Sequence, residues 1–264
     1  MNNNLRFELS FKNISQLEKK LNFCKLNKIN KINIPCKGII KKKFFNSTVQ
    51  YISKNFQEFN TTYHYSLYHQ YSQNKDKSYQ DFLDFIKNSD SNRNYEILLV
   101  SGSNKKKNFD SLSVLNNIKK EKYLKLKLGI AYNPYLKKYY KVTSERERFE
   151  NKLSSGLLNS IWLQFGTDIK ILQNEVTYLK KTVQYEKLNL FGSLLIPSKQ
   201  FISRFKFRPW KGVHISEKYL YSLEEFYDFT RDLISFYKEN NIIPIIETDF
   251  TSSDKLDSVY SFFR

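Results

Sequence analysis

Eight short apolar runs alternating with eight stretches of helical periodicity predict an α/β fold, a single (β/α)8 TIM-type barrel forming one domain over residues 1–264. The alternation fills a chain of the size such barrels need, and no Pro-, Gly- or Ser-rich linker interrupts it. No G-x-G-x-x-G follows the first strand, and no boundary separates two nucleotide-binding halves. Both observations argue against an open doubly wound sheet, the competing architecture.

Residues 5–11 alternate as a strand does and carry a carboxylate, Glu8; a helix beginning at Ser15 then puts Leu17, Leu21 and Cys24 on one face. Residues 29–35 make a second strand, closed by Pro35 and Gly38, and Val49, Ile52 and Phe56 stripe a helix over 45–56. A third strand over 63–68 precedes a helix over 79–86 with Phe82, Leu83 and Ile86 inward. The fourth strand, 96–100, is a continuous buried run ending in Ser101-Gly102-Ser103, a small-residue loop where backbone can approach a ligand closely. A helix over 109–120 leads to strand five, 126–132, which stops at Asn133-Pro134.

The stretch 145–166 carries much of the functional signal. A charged helix with Phe149 and Leu153 four apart runs through Ser154-Ser155-Gly156 into a sixth strand whose apolar run stops at Gln164. Ile171, Leu172, Val176 and Leu179 mark a helix over 168–183, and residues 189–196 form strand seven. Residues 197–216 are the longest departure from the repeat; their run Phe207-Arg208-Pro209-Trp210 reads as a lid over a ligand or as a packed plug. A long helix over 216–239, an eighth strand over 242–247 and a last helix capped by Ser252 or Ser253 complete the pattern.

Composition narrows function by exclusion. No apolar run approaches the ~20 residues that cross a bilayer, and residues 1–4 lead into strand pattern without a signal segment. The expectation is a soluble, cytoplasmic protein with no membrane partner. Cys24 and Cys36, without CxxC spacing, read as reduced thiols rather than a disulfide framework or zinc site. The net charge of +18 draws polyanions by counterion release. Yet Lys41-Lys42-Lys43 and Lys105-Lys106-Lys107 stand apart from any RNP motif, zinc knuckle or arginine-rich recognition helix, so nucleic acid is not the expected partner. His64, His69 and His214 are scattered, form no metal triad, and each also reads as a structural histidine.

Function in a barrel gathers at C-terminal strand ends, and here those ends carry Glu8, His64 with Ser66, Ser101 with Ser103, Tyr132 with Asn133, Gln164 and Ser198. Plain readings stand beside the functional ones. Arg6 shares the strand face of Glu8 and competes for it as a salt-bridge partner. Gln164 also reads as a polar strand cap, Lys152 as a solvated helix lysine, and Gly102 as a tight-turn residue.

Phe7-Glu8, His64-Tyr65-Ser66, Tyr132 with Pro134, the seven-residue spacing from Glu145 to Lys152, Gln164, and the segment from Gly192 to Pro197 occur in order at equivalent strand ends. In these motifs the chain resembles the methylenetetrahydrofolate reductases and their FAD-linked relatives, a family of (β/α)8 barrels. The resemblance covers nearly the whole chain in element order. It implies Glu8 as a general acid and Gln164 as a substrate contact. It also implies His64, Ser101, Gly102, Ser103, Tyr132, Glu145 and Lys152 at an FAD site, with NAD(P)H as reductant and a folate-like substrate. Departures accompany it: Ser10 and Phe11 replace two prolines, Ser103 stands for an aspartate beside the flavin ring, Asn133 is inserted before Pro134, and Glu247-Thr248-Asp249 replaces a late Leu-Asn-Arg. The resulting expectation is a flavin-dependent oxidoreductase of one-carbon metabolism without a metal. The alternative is a catalytically degenerate barrel acting as a binding or interaction protein, with nucleic-acid binding as a third reading.

Overall fold

In the computed structural model, strands and helices alternate as the periodicity predicts. Residues 5–36, 42–89, 95–101, 109–119, 126–136, 145–182, 187–210 and 212–264 are described. The order is β1 (Arg6–Glu8), α1 (Ile14–Leu26), β2 (Lys31–Ile34), α2 (Lys42–Asn55), β3 (Asn60–Ser66), α3 (Lys75–Ser89), β4 (Tyr95–Val100) and α4 (Ser111–Ile118). It continues with β5 (Leu128–Tyr132), α5 (Glu145–Leu153), β6 (Leu158–Leu163), α6 (Ile169–Lys181), β7 (Asn189–Leu194), α7 (Lys199–Phe207), α8 (Glu217–Tyr221), α9 (Leu223–Glu239), β8 (Ile243–Ile246) and α10 (Ser253–Ser261). The strands form a closed barrel in chain order. β1 through β5 pair successively in parallel, as do β6, β7 and β8.

By packing, the chain groups into two compact units. One comprises residues 7–130 and 151–159, the other residues 1–6, 131–150 and 160–264.

In the first unit, alternation along β3 sorts side chains between two faces. Tyr65 packs against Phe82 and Phe85 of α3 with ring centroids 4.8 and 4.9 Å away, and Tyr63 meets Phe85 edge-on at 6.3 Å. Thr62, His64 and Ser66 therefore take the opposite, barrel-facing side. Register carries this face sideways, because Glu8 pairs with Asn33 and Asn33 with Thr62.

In the second unit, Gly192 faces α9. A Cβ there would lie 2.4 Å from the Tyr237 ring, whose hydroxyl donates to the Ser193 carbonyl at 2.9 Å. The side chains of Phe191 and Ser193 must then face the barrel. α9 buries Phe226, Phe229, Leu233 and Tyr237 at spacings of three and four, the stripe that its amphipathic sequence predicts. Each such side chain contributes about 1.5–3 kcal/mol on burial.

Helix starts follow local side-chain chemistry. Asn13, Asp110, Asp168, Ser198 and Ser222 each accept from a backbone N–H three residues on, satisfying one of the orphan donors of a first turn. Two expectations change here. The stretch read as irregular contains α7, anchored inward by Ile202 and Phe205, and its short stripe is masked by exposed cations and the following Pro209. The single long helix expected over 216–239 is instead two, because Ser222 leaves helical geometry and caps α9. At the other end of α5, Gly156 takes φ of +72°, the left-handed conformation that lets the chain leave a helix without a Cβ penalty. No helix among the described residues is long and apolar enough to cross a membrane.

Candidate functional site

At the C-terminal ends of β1 and β3 in the first unit, the Glu8 carboxylate lies 3.8 Å from His64 Nδ1. Glu8 is 7% exposed, and Asn33, its register neighbour, is fully buried. A carboxylate and an imidazole at this separation, drawn from water, can exchange a proton with each other or with a ligand. Behind them, Gln70 Nε2 donates to Cys36 Sγ at 3.0 Å, and burial pushes the Cys36 thiol above its ordinary range. Ser101, at the end of β4, accepts from the Ser111 N–H at 3.1 Å and sits 3.0 Å from the Ser111 hydroxyl. That serine therefore fastens the start of α4. Gly102 and Ser103 lie outside the described residues, as do Lys41 and the run Lys105-Lys106-Lys107.

Lys152, expected as a cation facing a pyrophosphate, is 5% exposed. Glu145 belongs to the second unit. One of its oxygens accepts from the Asn133 N–H at 3.3 Å and the other from Arg148 at 3.1 Å. Tyr132 packs edge-on against Phe149 and donates its hydroxyl to Glu175, which Arg146 grips with two N–H groups at 2.9 and 3.1 Å. Burial first, and the Glu175 carboxylate second, raise the Tyr132 phenol well above its ordinary value. These contacts lock β5, α5 and α6 together. They leave the described residues a poor fit to an FAD cradle, which needs an accessible cation for the pyrophosphate and a carboxylate with an oxygen turned to the ribose.

The ends of β6, β7 and β8 carry a second polar group in the second unit. Gln164 follows β6 directly, and its N–H donates to the Tyr132 carbonyl at 2.9 Å. The segment after α7 lies against it. Asn133 Nδ2 donates to the Gly212 carbonyl at 3.0 Å, the Thr167 N–H donates to the His214 carbonyl at 2.9 Å, and the Ser216 N–H donates to Thr167 Oγ1 at 2.7 Å. Trp210 packs edge-on against Phe201 and Phe205 at 5.5 and 6.2 Å, so its ring rests against α7.

One strand step below Gln164, Trp162 stacks on Phe191 with centroids 4.3 Å apart and planes 26° from parallel. The buried Arg6 guanidinium lies 5.8 and 5.6 Å from these two rings, which gives the arginine a cation–π environment. One step above Phe191, the Ser193 hydroxyl donates to Glu247 at the end of β8. Sequence reasoning missed Ser193 and Glu247. The signal was present as alternation, since Phe191 and Ser193 are two apart, as are Ile245 and Glu247. Among the described residues no group of three or more His, Cys, Asp or Glu is placed to hold a metal ion.

No protein-family model matches the chain, and neither does any curated protein. Among solved structures, an uncharacterized protein from Clostridium thermocellum that binds two copies of 5-methyl-5,6,7,8-tetrahydrofolic acid is similar with a TM-score of 0.55 at 12% identity, over 98% of this chain and 92% of that one. The catalytic domain of a hyperthermophilic chitinase from Pyrococcus furiosus is similar with a TM-score of 0.51 at 11% identity, over 93% of this chain and 84% of that one. At these identities the likeness is one of fold.

Proposed function

We propose that the chain binds a reduced folate or a closely related conjugated ring at the C-terminal ends of its strands, and that Glu8 with His64 handles a proton there. The observation that carries the reading is the shielded carboxylate–imidazole pair, 3.8 Å apart, at the strand positions where barrels place their chemistry. The resemblance of Phe7-Glu8, His64-Tyr65-Ser66 and Gln164 to the methylenetetrahydrofolate reductases supports it. So does the folate ligand of the Clostridium thermocellum protein, whose fold matches nearly the full length of both chains.

The finer proposal is a reductase in which Glu8 protonates the substrate nitrogen. It rests on the resemblance alone, and the binding-only barrel is its rival. Titration of the purified protein with 5-methyltetrahydrofolate tests the common part, and saturable binding is the expected result. Glu8→Gln should keep that binding within about threefold, because the amide retains the shape of the carboxylate, and should remove proton transfer. Loss of binding together with loss of fold in Glu8→Gln would make Glu8 structural and sink the mechanistic reading. Flavin absorbance, in the protein as purified or after incubation with FAD, separates the reductase from the binding-only barrel.

A further inference from the structure

Residues 187–216, in the second unit, contain six Lys and Arg and no Asp or Glu, and from Arg204 to Trp210 cations alternate with aromatic rings. Packing sorts this run between two sides. Ile202 and Phe205 of α7 and Tyr219 of α8 are buried, and Phe201 and Tyr219 both lie against Phe226 of α9, with centroids 6.1 and 5.8 Å away. With those side chains turned inward, α7 exposes Arg204, Lys206 and Phe207, and α8 exposes Lys218 and Tyr221. The two exposed sets adjoin, because the Lys206 ammonium lies 4.0 Å over the Tyr221 ring. Of the four large apolar side chains that stand exposed among the described residues, three are aromatic and belong to this stretch: Phe207 at 91%, Tyr221 at 79% and Trp210 at 42%. Single exposed apolar side chains are ordinary, whereas three rings set among cations make a patch.

We infer that this surface binds single-stranded nucleic acid, with Phe207 and Tyr221 as stacking rings for unpaired bases and Arg204, Arg208 and Lys218 as phosphate contacts. Every base has a flat face that an exposed ring can cover, and interleaved cations neutralise the phosphates that join the bases. Glu217, Glu224 and Glu225 are the acids nearest in sequence, and the last two stand in the first turn of α9, where the helix dipole offsets their charge. A bilayer surface is also anionic, but α7 would have to lay an apolar stripe on it. Its stripe, Ile202 and Phe205, points into the protein, and its outward ring is flanked by cations instead of joining an apolar face. The inference is independent of the folate reading, since none of these residues serves there.

The experiment follows fluorescence anisotropy of a fluorescein-labelled strand of about fifteen thymidines, a length in the range such surfaces occupy. Salt is varied around about 0.1 M. The strand should bind with an affinity that falls as salt rises, and a duplex of the same length should bind more weakly, because its bases are already stacked on one another. Phe207→Ala with Tyr221→Ala should weaken strand binding about tenfold or more, as expected for the loss of two stacking rings. Arg204→Gln with Arg208→Gln should make the slope of log K against log salt shallower by about 1.4, at about 0.7 for each phosphate released. Lys19→Gln with Lys87→Gln removes the same charge from exposed positions on α1 and α3 and should change affinity by less than about twofold.

No binding by the parent, equal affinity for strand and duplex, or an equal loss in the α1 and α3 variant would overturn the inference. So would unchanged binding by a folded Phe207→Ala, Tyr221→Ala protein, with folding checked by its urea midpoint. Should that variant fail to fold, the arginine variant and the comparison of strand with duplex still decide. Capture on phosphatidylserine vesicles that needs Phe207 and Tyr221, without binding of the strand, would assign the patch to a bilayer and overturn the inference as well.

Discussion

At the ends of β1 and β3 the polar groups are an acid and an imidazole 3.8 Å apart, backed on the helix side by the Tyr63, Tyr65, Phe82 and Phe85 rings. At the ends of β6, β7 and β8 they are an amide, a hydroxyl and a carboxylate, and the rings lie on the barrel side as the Trp162–Phe191 pair. In the first region the aromatic layer is structural and both facing polar groups can carry a proton. In the second the rings face the barrel interior, and of its three polar groups only the carboxylate is an acid. The difference teaches that strands of one barrel can place their rings on the helix side or on the barrel side, because alternation lets each strand choose which face receives them.

The largest effect should come from filling the space behind the second region. Gly192→Ala drives a methyl group to 2.4 Å from the fully buried Tyr237 ring, which has nowhere to move and is tied to the Ser193 carbonyl. Overpacking of this kind costs about 1–3 kcal/mol. Urea unfolding should show a midpoint lowered accordingly. An unchanged midpoint would mean that the two regions are not backed as differently as described.

Next, Glu175→Ala removes the acceptor of the buried Tyr132 hydroxyl and the partner of Arg146. A buried hydroxyl left without an acceptor costs about 1–3 kcal/mol, while the partly exposed Arg146 regains water. A stability loss of about 1–2 kcal/mol is expected, since relaxation of the arginine offsets part of the cost. Glu175→Gln should recover part of it, and a neutral Glu175→Ala would break the claim that this network sets the end of β5.

The last effect is absent at neutral pH, appears only in alkali and is shared by both regions. Burial raises the phenols of Tyr63 and Tyr65 in one unit and Tyr132, Tyr135 and Tyr237 in the other above their ordinary 10. The unfolded chain loses these protons near pH 10 while the folded chain keeps them. Stability from this source is complete below that pH and falls as pH rises beyond it. Urea midpoints measured at neutral pH and above pH 10 should diverge, with tyrosinate absorbance from the buried set appearing together with unfolding. Absorbance that precedes unfolding would contradict it.

Much of the fold was legible in the residues. The 3.6-residue stripes and the apolar strand runs are local patterns, so strand and helix order and the barrel class followed from them. Helix α7 was hidden because its two buried residues, Ile202 and Phe205, make too short a stripe beside so many cations. The break at Ser222 was hidden because a serine inside a helical pattern is silent until its backbone turns extended. Of the site, the sequence by itself placed Glu8, His64 and Gln164 at strand ends, since strand direction and length determine that.

Only the tertiary structure decided which groups meet. That Glu8 faces His64, that Arg6 lies over Trp162 and Phe191, and that Lys152 is buried depend on register between strands and on helix packing. The partnership of Ser193 with Glu247 is the plainest case. Fifty-four residues separate the two, no local propensity links them, and they meet because parallel pairing of β7 with β8 sets their barrel-facing positions side by side.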